Sequence, residues 1–403
     1  MKVLIVRDRE GAGGGIYNYY RAVEPHLQVQ CKFVGVGRTH ARFGKKAPFL
    51  RRVTLFRLLA DWTNMAWQML VFRPDLVHIN PGLDVTSFRA LRRDAVNGWI
   101  AVISMRPVLV FWRGWDNSWC GNREFPGGSN GWTCRIYKKA AAQVVLASRF
   151  KEDLRRWGFA MPIHIETTVA SDECVGVAVR TEEHGDAINL LFLSRIEASK
   201  GIFELLEAYR ILRERDPRYT LTFAGDGSDL ESLKRRAAEK GLRHVVFTGF
   251  VRGEAKVNCF RNATIFCFPS SHGEGMPNAV LEAMAAGLPI VASDVGGLRD
   301  ILEEGKTGIL LRLQENKPRS RFDPEEIADA IERLARKPEL REQISTYNVT
   351  CARKRFSARV VARRLETIYE SLVQGGKVSG GDMRGTGGTI GHRAEQHPEQ
   401  NLG

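Results

Sequence analysis

From its first residues the chain alternates short apolar runs with longer stretches in which apolar positions recur every three or four residues. KVLIV leads into a glycine-rich turn and a helical pattern; QCKFVGV, LVHIN and VLVFW follow, separated by helix-like segments, one of them amphipathic near 51–72. Strands that alternate with helices predict a parallel sheet with helical crossovers. The rhythm runs on through VVLAS and pauses over 167–186, where acids are scattered and periodicity fades, as expected of a connection between domains. A second series, INLLFLS, LTFAG, VVFTG, IFCFP and PIVAS, has compact apolar strands, each closed by a polar or glycine turn, and predicts a second doubly wound α/β domain. The boundaries read from this pattern are 1–172, 173–354, a final helix over 355–373 and a glycine-rich tail over 374–403 that should be disordered.

A chain of 403 residues is too long for one ordinary core, which agrees with two domains and a cleft between them. No apolar run approaches the roughly 20 residues that span a bilayer, and the opening MKVLIVRDRE reads as a first strand and not as a signal segment. A cytoplasmic protein is the expectation. Seven scattered cysteines without a C-x-x-C pair indicate neither a disulfide framework nor a zinc site. The net charge of +14 is localised: residues 1–160 hold 26 Lys and Arg against 11 Asp and Glu, and the remainder is nearly balanced. The first domain therefore expects an anionic partner, a phosphorylated acceptor or the face of an anionic membrane, in preference to nucleic acid.

The strongest chemical signal is SSHGEGMPNAVLEAMAAGLPIVASDVGG, residues 270–297. A strand ends in Gly-Glu-Gly, Pro277 is suited to a first helical turn, and a second strand follows. Backbone N–H groups near Gly275, Met276, Pro277 and Asn278 can face an anion, helped by the helix dipole. Glu274 stands ahead of the turn and Glu282 about 7.5 Å along the helix from Pro277, so two carboxylates can hold different hydroxyls of one molecule. Upstream, FLSRIEASKG places Arg195 at a strand end and Lys200 before a glycine and a helix. Two cations there suit a diphosphate, because they stabilise the charge that builds as it leaves. No metal is then required.

Glu274 and Glu282, with seven residues between them inside this strand-turn-helix, resemble the paired-glutamate motif of retaining glycosyltransferase family 4, the glycosyl transferases group 1, and the span 190–334 follows that family's pattern. The resemblance implies the GT-B fold, two Rossmann-like domains facing across a cleft, with acceptor in the first and nucleotide sugar in the second, and a final helix crossing back to the first domain. It implies that Glu274 contacts the transferred sugar, Glu282 the ribose, and Arg195 and Lys200 the diphosphate, with no cofactor beyond the nucleotide-sugar co-substrate. Gly225 and the Phe250-Val251 pair, which close two neighbouring strands, would approach base and phosphates. Gly13, Gly14 and Gly15 would lie over donor phosphates and acceptor; the run lacks G-x-G-x-x-G spacing and a following ribose acid, so it is not a dinucleotide fingerprint. Likewise Gly305-Lys306-Thr307 lacks the first glycine of a P-loop and should be a plain turn.

The acceptor side departs from the family. Where many relatives carry a His after the fourth strand, VLVFWRGWD offers Arg113 and Asp116, and His78 is an alternative that fits a structural role better. All eight tryptophans fall between 62 and 157; they suit sugar rings or simply a core. A basic stretch from Lys32 to Arg57 runs into a helix with apolar positions 55, 58, 59, 62, 65, 66 and 69, which fits either a core helix or a membrane-surface helix. The expected function is transfer of a sugar to a glycan or lipid-linked glycan. A sugar-nucleotide epimerase of the same fold and a non-catalytic basic binding protein are the alternatives.

Overall fold

The computed structural model describes residues 1–8, 15–36, 49–83, 88–115, 121–178, 187–271, 275–312 and 322–378. The first domain runs β1 (Lys2–Asp8), α1 (Gly15–Val23), β2 (Gln30–Val36), α2 (Phe49–Phe72), β3 (Leu76–Ile79), β4 (Gly82–Leu83), α3 (Phe88–Ile103), β5 (Val108–Phe111), β6 (Gly114–Trp115), α4 (Trp132–Tyr137), β7 (Ala142–Val145), α5 (Ser148–Arg156) and β8 (Ile163–Ile165). The second runs β9 (Ile188–Leu193), α6 (Ile202–Arg215), β10 (Tyr219–Ala224), α7 (Leu230–Glu239), β11 (Val245–Gly249), α8 (Glu254–Arg261), β12 (Ile265–Phe268), α9 (Asn278–Ala286), β13 (Ile290–Ser293), β14 (Gly308–Leu311), α10 (Pro324–Ala335) and α11 (Pro338–Arg355). The last helix, α12, spans Ala358–Val378.

Each domain has a six-stranded parallel sheet, ordered β2-β1-β3-β5-β7-β8 and β11-β10-β9-β12-β13-β14. Central strands such as β3, β5, β7, β12 and β13 are buried at every position, which is why they read as continuous apolar runs and not as alternating ones. In both sheets the winding reverses once, between β1 and β3 and between β9 and β12. Ligands of open α/β sheets bind outside the carboxyl ends of strands at such reversals.

The carboxyl edges of the two sheets meet. Ser148, at the start of α5, donates from Oγ to Asp300 Oδ1 at 2.6 Å and from its backbone N to Oδ2 of the same carboxylate. Asp300, a second-domain residue, thereby serves the N-terminus of a first-domain helix. Thr168 Oγ1 donates to the carbonyl of Met276. Gly297 N donates to Gly275 O at 3.0 Å, and a Cβ on Gly297 would fall 2.0 Å from that oxygen and 2.5 Å from the carbonyl of Leu146. No side chain fits there.

α12 returns to the first domain, touching α1, β3 and the turn Glu24–His26. Glu366 accepts from the backbone N of Gln28 and Val29, and Arg364 pairs with Glu166 at 2.9 Å. One continuous apolar cluster accordingly joins Val3, Ile5 and Leu109 on one face of the first sheet to Tyr369 of α12 and to the second domain's core. The helix reaches Val378, so 374–378 are ordered helix where a disordered tail was expected; the remainder of that tail lies outside the described residues.

Several of the tryptophans that suited either sugar rings or a core turn out to be core. Trp112 and Trp157 are 1 % exposed and Trp115 6 %, and Trp115 stacks on Phe150 and on Trp157 with centroids 4.4 and 5.6 Å apart. The aromatic packing removes their faces from any ligand. α2 is more unusual: Met65 is buried, whereas Phe56, Leu59, Trp67, Leu70 and Val71 are exposed. Trp99 and Ile103 of α3 and the following Met105 are exposed as well, and α2 and α3 are in contact. Positions 59 and 66 of the anticipated core face are exposed, so the helix carries apolar residues on two sides.

Candidate active site

The carboxyl ends of β9 and β12, which flank the winding reversal of the second sheet, carry the residues singled out by sequence. β9 leads to Arg195 and to the single turn Ala198–Lys200; β12 leads through Pro269, Ser270 and Ser271 towards Gly275. The two loops are stitched together, since Ser271 N donates to Ser199 O at 3.0 Å and Ser271 Oγ to the same carbonyl at 3.1 Å. Lys200 is 3 % exposed, whereas the Arg195 side chain is 65 % exposed and pairs with Glu197 at 2.8 Å. An exposed pair of this kind contributes little, so Arg195 can turn to another anion at small cost.

Pro277 stands one position earlier than the pattern suggested: it is the N-cap of α9, extended at φ −69° and ψ 120°, and its carbonyl accepts from Val280 N and Leu281 N. Cap boundaries shift by a residue easily, and the N-terminus of α9 still opens beside Gly275. Met276 is buried at the contact with Thr168. α9 ends at Gly287 in the left-handed conformation. Glu274 lies outside the described residues.

Glu282, on the second turn of α9, is 8 % exposed. Lys256 Nζ, from the first turn of α8, sits 2.7 Å from Glu282 Oε1. Burial pushes the Glu282 carboxyl above the usual range and Lys256 pulls it back, with a net rise. For Lys256 burial acts downward, and the Glu282 charge and hydrogen bond outweigh it. Nothing in the sequence marked Lys256, which lies 26 residues upstream and reads as a solvated helix lysine.

Gly225 serves the backbone. At φ 149° it lies where a Cβ would stand 1.8 Å from Ser194 O, and its N–H bonds to Gly249 O. It lets β10 end tightly against the loop that carries Arg195. Phe250, 76 % exposed, and the half-buried Val251 follow β11 on the outer side of the sheet.

On the first domain, Gly15 starts α1; Gly13, Gly14 and Asp116 lie outside the described residues. Arg113 follows β5. Its guanidinium lies 3.7 Å from the Tyr19 ring centroid and 3.6 Å from that of Phe111, its Nε donates to Asn80 Oδ1 at 3.1 Å, and among the described residues its buried Nη2 has no hydrogen-bond partner. A buried unpaired guanidinium nitrogen at a strand's carboxyl end is a place for an oxygen of a ligand. His78 is fully buried between Tyr20 Oη, 3.2 Å from Nε2, and Tyr369 Oη, 2.7 Å from Nδ1, and burial holds it well below its usual pKa with Arg113 adding to the effect. It is a neutral structural residue and not a general base.

Residues 179–349 match the profile of the family described as glycosyl transferases group 1. The chain carries a group 1 glycosyl transferase domain. It is 30% identical over 246 residues to the alpha-D-kanosaminyltransferase of Streptomyces kanamyceticus, covering 58% of this chain and 61% of that protein. To the phosphatidyl-myo-inositol mannosyltransferase of Mycobacterium leprae it is 34% identical over 189 residues, 46% of this chain and 47% of the relative. The chain thus spans about half to six-tenths of the curated relatives it matches. Among solved structures, a glycosyltransferase from Rickettsia africae superposes with a TM-score of 0.68 at 16% identity, covering 93% of this chain and 98% of that one. HepE of Anabaena in complex with UDP-glucose superposes at 0.64, also at 16% identity, over 92% and 100%. The chain has the GT-B fold.

Proposed function

We propose that this chain is a retaining, metal-independent hexosyltransferase that moves a sugar from a nucleoside-diphosphate donor to a glycan or lipid-linked glycan, in the biosynthesis of a polysaccharide or glycolipid. The observation that carries this reading is the convergence of Arg195, Lys200, the Gly275–Asn278 turn and Glu282 on one sheet reversal, where a nucleotide would lie. In it, Glu282 accepts from ribose hydroxyls, Glu274 holds the transferred sugar, and Arg195 and Lys200 take up charge on the departing diphosphate. The acceptor attacks on the face the diphosphate leaves. Closure of the two lobes keeps water from the donor.

Relatives named as kanosaminyl and mannosyl transferases, and a structural neighbour holding UDP-glucose, support a hexosyl nucleotide as donor. The acceptor would enter along the first domain past Arg113. The exposed apolar residues of α2 and α3, on a domain with excess positive charge, support attachment to an anionic membrane on the cytoplasmic side. Among the described residues no helix is long and apolar enough to cross a membrane. The reading is tested by thermal stabilisation and turnover with UDP-, GDP- and ADP-sugars, comparing the chain with Glu274→Ala. One nucleotide should stabilise both proteins and only the unaltered chain should turn its sugar over; indifference to all three would refute it.

A further inference from the structure

The pairing of Glu282 with Lys256 is a buried one, and its surroundings are unequal. Around Lys256 stand Glu282 of α9 and, from the linker turn Asp172–Cys174, the Cys174 thiol and Glu173, whose charge acts on both members of the pair. Glu254, on the same helix as Lys256, is turned to Arg261 at 3.0 Å. The Cys174 thiol is pushed up to about 12 by burial, with Glu282 adding and Lys256 opposing, and stays neutral. Glu282 therefore meets burial and the Glu173 carboxylate, both favouring its protonated form, and one cation that favours its ionised form. The linker itself is fixed beside α9, because Gly176 N and Ala178 N donate to Ala285 O and Ala286 O.

An ionised carboxylate offers acceptors at both oxygens, strengthened by its charge; protonated, it becomes a donor at one oxygen and a weaker, neutral acceptor at the other. Among the described residues Lys256 is the hydrogen-bond partner of Glu282, through Oε1, which leaves Oε2 for a ligand. We infer that Lys256 is a positioning residue for donor binding: its ammonium holds Glu282 ionised and oriented so that the free carboxylate oxygen reads the vicinal diol of the donor ribose. The inference rests on the ribose role proposed above for Glu282. It assigns the lysine a part in nucleotide recognition although it does not touch the nucleotide. A lysine here is not needed for packing alone: its stem is half-buried, and an aliphatic residue would fill the same volume.

The experiment is calorimetric titration of the full chain, Lys256→Met and Lys256→Arg with whichever of UDP, ADP or GDP binds the unaltered chain, and with its 2′,3′-dideoxy counterpart, from about pH 6 to about pH 8. Lys256→Met should lose about tenfold or more in affinity for the ribonucleotide, as expected for a charge-assisted hydrogen bond. The loss should be greatest at the acid end and shrink as pH rises. Lys256→Arg should retain most of the affinity, and the dideoxy nucleotide should bind the unaltered and Met chains alike. Glu173→Gln, which removes the opposing carboxylate, should hold its affinity to lower pH than the unaltered chain. Equal losses for both nucleotides at every pH, or no loss, would overturn the inference while leaving the proposed function standing. Failure of the unaltered chain to bind any of the three would overturn both.

Discussion

Tyr369 Oη lies 2.7 Å from His78 Nδ1, joining residues 291 positions apart in sequence at the centre of the first domain. Tyr20 Oη occupies the other ring nitrogen at 3.2 Å, so the imidazole is saturated in its neutral form. Tyr369→Phe would leave a buried ring nitrogen without a partner, at about 1–3 kcal/mol. Denaturant unfolding should show that loss without a change of fold.

The same imidazole gives a signed pH dependence. Its folded pKa is held well below 6.5 by burial, so an unfolded chain takes up a proton that the folded one refuses. Stability contributed by the neutral ring is present above the unfolded value and is lost as pH falls below about 6.5. Melting temperature should fall over that window, and His78→Gln should flatten the fall relative to the unaltered chain.

Gly297 lies between the two domains, with a Cβ position 2.0 Å from Gly275 O of its own domain and 2.5 Å from Leu146 O of the other. Both obstacles are backbone. Gly297→Ala should push the two edges apart, and small-angle scattering should report a wider molecule, with weaker donor affinity, while each domain keeps its helix signal. Asp300→Ala should act in the same direction through loss of the Ser148 cap, at about 0.5–2 kcal/mol.

For the proposed membrane face, Trp67→Ser with Leu70→Ser replaces two side chains that are 61 % and 70 % exposed. Little folded-state packing is lost, so melting temperature should hardly move. Co-sedimentation with anionic vesicles should fall several-fold, and vesicles of neutral lipid should bind neither protein. Equal sedimentation of both proteins would remove the membrane from the reading.

What could be read from the sequence was what is local. The strands of both sheets announce themselves because buried parallel strands are apolar throughout, and the carboxylates and cations of the proposed donor site follow strand ends with glycine and proline around them. Lys256 was invisible because its meaning comes from an α8–α9 contact. Trp115 and Trp157 were ambiguous because a tryptophan that stacks on a sugar and one that stacks on Phe150 look alike in one dimension. Gly297 closed the recognised motif, yet part of its reason, the carbonyl of Leu146, belongs to the other domain. Asp300 and Tyr369 were likewise silent, each acting on a residue more than a hundred positions away.

α12 also bears on how the molecule comes into being. The first domain's sheet is assembled from residues 2–165, but Tyr369, Glu366 and Arg364 supply its last contacts. A polypeptide emerging from the ribosome must deliver everything through α12 before the first domain is complete, and until then the second domain can finish first. Tags or fusions placed close behind Val378 would therefore disturb the first domain, far away in sequence.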